Sequence, residues 1–233
     1  MNFTIVVPLY NEAENVENLI NEIYFVFKDY KPIEYEIILV NDASNDNTSE
    51  ILNSLEKKYQ NLKTINNKKN FGQSFSLIKG IKSSKFNTIV TLDGDCQNNP
   101  ADIPKLLKKY NSDNDIGLVG GLRLKRKDKI IKKISSKIAN KVRKIILNDK
   151  CDDTGCSLKV FDKKIFIKLP EFEGLHRFMP ALFSGYGCKT FFIPVDHRAR
   201  LFGKSNYGTF GRLYRGVIDI IRVLKILKNL NND

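Results

Sequence analysis

Between Phe3 and Asp93 the chain alternates short β-branched apolar runs with amphipathic stretches, and the apolar runs end in polar clusters. Phe3–Val7, Tyr35–Val40, Leu62–Asn66 and Thr88–Leu92 read as strands; Glu12–Phe27, Asp46–Tyr59 and Gly72–Ser84 read as helices between them. Ser44 or Asn45 is placed to cap the second helix. That order predicts an α/β fold, a mostly parallel sheet with helices on both faces. Ligands of such sheets bind beyond the carboxyl ends of the strands. Pro8-Leu-Tyr10-Asn11-Glu12, Asn41-Asp42-Ala-Ser44 and Asp93-Gly-Asp95 all fall there.

The last of these clusters carries the most chemistry. Two carboxylates at the end of a buried strand repel each other and desolvate poorly unless a cation joins them. Hard oxygen ligands on a short turn suit Mg²⁺ or Mn²⁺, which take a few carboxylates together with phosphate oxygens. A solvated acidic turn is the plainer alternative for an isolated Asp-x-Asp.

The remaining chain predicts strands over Asp115–Leu122, Leu158–Phe161 and Thr190–Pro194, a helix near His176–Ser184, and a long apolar-basic helix from Thr209 to Leu230. With 233 residues and 42% hydrophobic content, one domain with a sizeable core is expected. The four cysteines form no Cys-x-x-Cys pair and no signal peptide precedes them, so a reduced cytosolic compartment is expected. Two histidines make a zinc site improbable. No run approaches the roughly eighteen apolar residues of a bilayer span.

The formal charge of +13 is uneven: Arg123–Lys144 holds eleven Lys or Arg residues against the single acid Asp128. Within it Ile130, Ile134, Ile138, Val142 and Ile145 or Ile146 recur at helical spacing, with lysines and arginines on the other faces. A helix lying in an anionic membrane interface has this pattern, and so does a core-facing helix with a solvated basic side. Nucleic acid is disfavoured, since aromatic residues do not interleave the stripe.

Taken in order, Pro8-Leu-Tyr10-Asn11-Glu12, Val40-Asn-Asp42-Ala-Ser44-x-Asp46-x-Thr48, Asn70-x-Gly72 and Asp93-Gly-Asp95-x-Gln97-x-x-Pro100 resemble the family 2 glycosyltransferases with the GT-A fold. Within that family they are similar to the dolichyl- or polyprenyl-phosphate sugar transferases. Asp153-Thr-Gly155-Cys156-Ser-Leu158-Lys159, His176-Arg177-Phe-x-Pro180 and Arg200-x-x-Gly203-x-Ser205-x-Tyr207 extend the likeness to about residue 207.

The resemblance implies transfer of a hexose, mannose or glucose, from a GDP- or UDP-linked donor to a polyprenyl phosphate at the membrane surface, with inversion at the anomeric carbon. Asp42 would meet the base, and Pro8, Tyr10, Asn11, Glu12 and Gly72 would line the donor. Asp93, Asp95 and Gln97 would hold Mg²⁺ or Mn²⁺ against the diphosphate. Asp95, Asp153 and Arg200 are the expected catalytic residues, with Asp153 orienting the acceptor or holding a cation. Arg123, Arg177, Arg200, Lys204 and Ser205 would bind the phosphate-bearing substrates. Each has a structural alternative: Asp42 and Asp46 as Asx-turn or helix cap, Tyr10 and Asn11 as turn residues, Arg123 and Lys204 as surface charge, His176 as a hydrogen-bonding histidine.

The expected organisation is a transferase domain over 1–207, with a basic amphipathic insertion near 125–147, and a C-terminal interfacial helix over 208–233. The protein would be peripheral on the cytoplasmic face of the membrane, or held there by a separate membrane subunit. The alternatives are a family 2 transferase with a polysaccharide or other non-lipid acceptor, and a non-catalytic membrane- or nucleic-acid-binding protein on the same fold.

Overall fold

A computed structural model describes residues 2–29, 34–123, 143–147, 149–199 and 209–230. β1 (Phe3–Leu9), α1 (Ala13–Phe27), β2 (Tyr35–Asn41), α2 (Thr48–Lys58), β3 (Leu62–Asn66), α3 (Gln73–Ser83) and β4 (Thr88–Thr91) follow the predicted alternation. β1, β2, β3 and β4 pair in parallel. After α4 (Ile103–Tyr110) come β5 (Ile116–Arg123), helical residues 143–147 (α5), β6 (Lys159–Asp162), α6 (Lys163–Phe166), α7 (Leu175–Gly185), β7 (Lys189–Val195) and α8 (Thr209–Leu230).

The seven strands form one sheet in the order β3-β2-β1-β4-β6-β5-β7. β6 runs antiparallel between β4 and β5, while β7 pairs in parallel with β5. The sheet is therefore mostly parallel, as expected. Alternate residues of β1 serve opposite faces: Ile5 and Val7 join the core under α1, α2 and α4, and Val6 joins the core under α3, α7 and α8. Both faces are covered, which is why the strands read as continuous apolar runs rather than as polar-apolar alternation.

Two local expectations are corrected. α2 starts at Thr48 with Asn47 before it, and Ser44 does not cap it; the Ser44 hydroxyl accepts the Asn11 N–H at 2.9 Å instead. α4 and its 3₁₀ lead-in, Pro100–Asp102, were not expected. Their signal is Asn99-Pro100, where the Asn99 side chain accepts from Ala101 N at 3.0 Å and proline occupies the first helical position.

Of the basic insertion, 143–147 lies among the described residues, and the stripe from Ile130 to Val142 lies outside them. Arg143 was expected on the solvated face. It is buried, paired with Asp149 at 3.2 Å, and donates to the Cys151 carbonyl. Ile145 and Ile146 are exposed.

α8 packs on α7 through Val223, and Asp219 accepts from Arg177 Nη2 at 3.0 Å. Its opposite face exposes Val217, Ile218 and Ile221 beside Arg222, Lys225 and Lys228. Among the described residues no helix is long and apolar enough to cross a membrane.

Candidate active site

The three polar clusters meet at the carboxyl edge of β1, β2 and β4. Each contains, or is directly followed by, a non-glycine residue at positive φ: Asn11 at 56°, Ala43 at 57° and Cys96 at 57°. Asn tolerates this conformation, whereas alanine and cysteine pay roughly 1–2 kcal/mol for it. Strain of this kind persists where the surroundings over-determine the backbone, and here it marks all three loops of one rim.

The loops after β1 and β2 are laced together. Asn45 N donates to Asn11 Oδ1 at 2.9 Å, and Glu12 N donates to Thr48 Oγ1 at 3.0 Å. Asp46 accepts from Thr48 N at 3.0 Å and from Ala13 N at 3.2 Å, so it joins the starts of α1 and α2. That is the structural role weighed for it. Pro8, Tyr10, Asn11 and Glu12 are half-buried along this rim.

Asp42 is buried and accepts three hydrogen bonds, from Asn67 Nδ2 at 2.7 Å, Phe71 N at 2.9 Å and Gly72 N at 2.7 Å. Its carboxylate organises the entry to α3, where Gly72 takes φ +89°. A carboxylate offers about four acceptor positions, so one direction is left for a ligand N–H.

At Asp93-Gly-Asp95 the backbone turns tightly against β1; a Cβ on Gly94 would collide with Leu9. Asp93 Oδ1 accepts from Gln73 Nε2 at 2.7 Å, and Asp93 N donates to Ser157 Oγ at 3.1 Å. Ser157 Oγ in turn donates to Asn98 Oδ1 at 2.5 Å. Burial first, and the charge of Asp95 second, push the Asp93 carboxyl up to about 6. Asp95 is buried, and its Oδ1 accepts from Gln97 N at 3.1 Å. The Gln97 side chain donates to the Arg198 carbonyl at 3.3 Å, which turns its amide nitrogen toward the loop after β7.

Arg123, at the end of β5, grips Asp153 through two contacts, Nε to Oδ2 at 2.6 Å and Nη2 to Oδ1 at 2.7 Å. Its Nη1 lies 3.3 Å from His197 Nε2. Desolvation works against the guanidinium charge, but the bonds and charge of Asp153 outweigh it and its pKa is raised. Arg123, expected at the phosphate-bearing substrates, and Asp153, expected to orient the acceptor or hold a cation, share a buried ion pair. Arg177, expected at a phosphate, instead engages Asp219 of α8. Arg200, Lys204 and Ser205 lie outside the described residues.

His176 takes the structural role weighed for it. Its Nδ1 shares a 2.7 Å hydrogen bond with Ser74 Oγ, which also accepts from Gly174 N at 2.9 Å. Desolvation, then Arg177 and Lys159, push the imidazole down to about 3, so it is neutral. All four cysteines are free thiols, and burial raises the pKa of Cys96, Cys151 and Cys156.

Three residues at the site were not anticipated. Gln73 directly follows the Asn70-x-Gly72 motif, and Ser157 and Lys159 lie inside the Asp153–Lys159 motif. Lys159 is buried, stands opposite Thr91 in the β4–β6 ladder, and donates to the Cys156 carbonyl. Its positive charge and that of Arg123 both act on Asp93.

Among the described residues no three His, Cys, Asp or Glu side chains converge on one point. The donor set at the strand end is two mutually repelling carboxylates. That set fits a Mg²⁺ or Mn²⁺ whose other ligands are phosphate oxygens and water.

Comparison with known proteins agrees with this architecture. The chain is 32% identical over 98% of its length to a dodecaprenyl-phosphate galacturonate synthase of Rhizobium johnstonii, covering 68% of that protein. It is also 32% identical over 95% of its length to an undecaprenyl-phosphate 4-deoxy-4-formamido-L-arabinose transferase of Photorhabdus laumondii, covering 67% of that protein. A crystal structure of glucosyl-3-phosphoglycerate synthase from Mycobacterium tuberculosis, with Mn²⁺, UDP and glucosyl-3-phosphoglycerate, superposes with a TM-score of 0.69. That match covers 97% of this chain and 79% of the other at 14% identity, and it shows the shared GT-A fold. The model of glycosyl transferase family 2 matches residues 4–169. This chain belongs to glycosyl transferase family 2.

Proposed function

We propose that the protein transfers a hexose from a nucleotide diphosphate sugar to a polyprenyl phosphate. The observation that carries the donor half is the Asp93–Asp95 turn, two carboxylates oriented by Gln73 and by the Gln97 backbone at the rim where Asp42 also lies. The acceptor half is supported by the two relatives, both named for transfer to long-chain prenyl phosphates. GDP and UDP remain the candidate donor nucleotides, with mannose or glucose the candidate sugar.

Asp42, with three of its acceptor positions filled, presents one remaining direction to a nucleobase N–H. Asp93 and Asp95 would hold Mg²⁺ or Mn²⁺, with Gln97 beside them through its side-chain oxygen. A cation held there would offset the charge that grows on the departing nucleoside diphosphate. A lipid phosphate has a second pKa of about 6 and is already ionised near neutral pH. It attacks without a strong base, by in-line displacement with inversion. The tie of Asp153 to Arg123 suits that chemistry: it orders the acceptor side, where Arg200, Lys204 and Ser205 are proposed to add phosphate contacts. Arg177, held by Asp219 of α8, is proposed to add a further phosphate contact.

The outer face of α8 alternates apolar with basic groups, which supports docking on an anionic membrane surface, on the cytoplasmic side or beside a separate membrane subunit.

The test is transfer from UDP- and GDP-hexoses to a short polyprenyl phosphate with Mn²⁺ or Mg²⁺, followed by NMR of the anomeric linkage. The expected product is a prenyl-phosphate sugar of inverted configuration. Sugar transfer to a glycan acceptor with none to the lipid phosphate would contradict this reading.

A further inference from the structure

One short segment ties the two halves of the donor site together. Phe71 and Gly72 direct their backbone N–H groups to Asp42, at 2.9 and 2.7 Å, and the next residue, Gln73, reaches Asp93 Oδ1 at 2.7 Å. The positive φ of Gly72 redirects the chain there and places Gln73 as the first residue of α3. Ser74, which follows, is buried and bonded to both His176 and Gly174, so the segment is anchored on its far side as well. Gln73 therefore works from a fixed backbone.

We propose that Gln73 is a positioning residue that orients the Asp93 carboxylate and couples order at Asp42 to order at Asp93. This rests on the reading that Asp93 and Asp95 face the donor diphosphate. A neutral amide suits the position. It holds one carboxylate oxygen without bringing a charge that competes with a divalent cation, whereas Lys159 and Arg123 supply positive charge from β6 and β5. An apolar side chain there would leave Asp93 Oδ1 without its 2.7 Å amide donor.

The experiment measures Mn²⁺ binding to the full chain by EPR, in the presence of UDP and separately of GDP, together with melting without ligand. Gln73→Met is expected to melt like the parent and to lose about ten-fold or more in Mn²⁺ affinity with the nucleotide that the parent binds. Gln73→Lys, which keeps a donor but adds charge, is expected to bind that nucleotide with little dependence on Mn²⁺. Gln73→Met binding Mn²⁺ within about two-fold of the parent overturns the proposal and leaves the donor-site reading standing. A parent that binds Mn²⁺ with neither nucleotide overturns both. Should Gln73→Met melt lower, Gln73→Asn, a neutral amide one methylene shorter, decides: parent-like Mn²⁺ affinity overturns the proposal, and its loss supports it.

Discussion

At the scale of single residues, the buried Arg123–Asp153 pair carries a large consequence for stability. Asp153 is 6% exposed and Arg123 12% exposed at the side chain, so water screens the pair weakly. Removing one partner leaves the other charge buried, which costs about 3–5 kcal/mol. Asp153→Asn is expected to lower the urea midpoint accordingly, with Arg123→Met in the same chain restoring part of the loss. His176 gives a pH-dependent counterpart. Its folded pKa is depressed to about 3, so the unfolded chain alone takes up a proton below about 6.5. Stability is then full above that value and falls as pH drops toward 3, by up to about 2 kcal/mol at pH 5. His176→Asn should flatten urea midpoints between pH 7.5 and pH 5; an unchanged slope would assign the acid sensitivity to other groups.

Secondary-structure elements were legible wherever one period dominated. β1 to β4 and α1 to α3 showed themselves through apolar runs and helical spacing, and α8 emerged with its predicted ends, Thr209 and Leu230. What stayed hidden was long-range. β6 enters the sheet antiparallel to β4, and Thr91 Oγ1 donates to the Ser157 carbonyl of its lead-in at 2.6 Å. No local pattern encodes that choice of partner. The same holds within the site. Asp42, Asp93 and Asp95 stood out as carboxylates at strand ends, but nothing short of the fold shows that Gln73 reaches Asp93 or that Arg123 closes on Asp153. For α8 the two faces make separate predictions. Lys225 and Lys228 changed together to Gln should weaken flotation with anionic vesicles, and the parent's binding should fall as salt rises. Val223 and Asp219 lie on the packed face, so the fold should survive that change. Flotation equal to the parent's would assign the basic face to another partner.

At the scale of the whole molecule, the parallel half of the sheet carries the rim proposed for the donor, and β6, β5 and β7 extend the sheet beside it. The Arg198 N–H donates to the Gln97 carbonyl at 2.9 Å, and the Asp196 N–H donates to Asp102 Oδ2 at 2.7 Å, so the loop after β7 is fastened along the turn after β4 and the start of α4. Val223 of α8 packs in the same layer as Leu77 and Ile81 of α3 and Leu182 of α7.

The central claim is that Asp95 and Asp93 bind a nucleotide diphosphate through a divalent cation, and calorimetric titration of UDP and GDP with and without Mn²⁺ tests it most directly. One nucleotide should bind with Mn²⁺ and weakly without it, and Asp95→Asn should melt like the parent while losing the Mn²⁺-dependent part of that affinity. Equal binding with and without Mn²⁺ in the parent, or an Asp95→Asn chain that keeps the parent's Mn²⁺ dependence, would contradict the account.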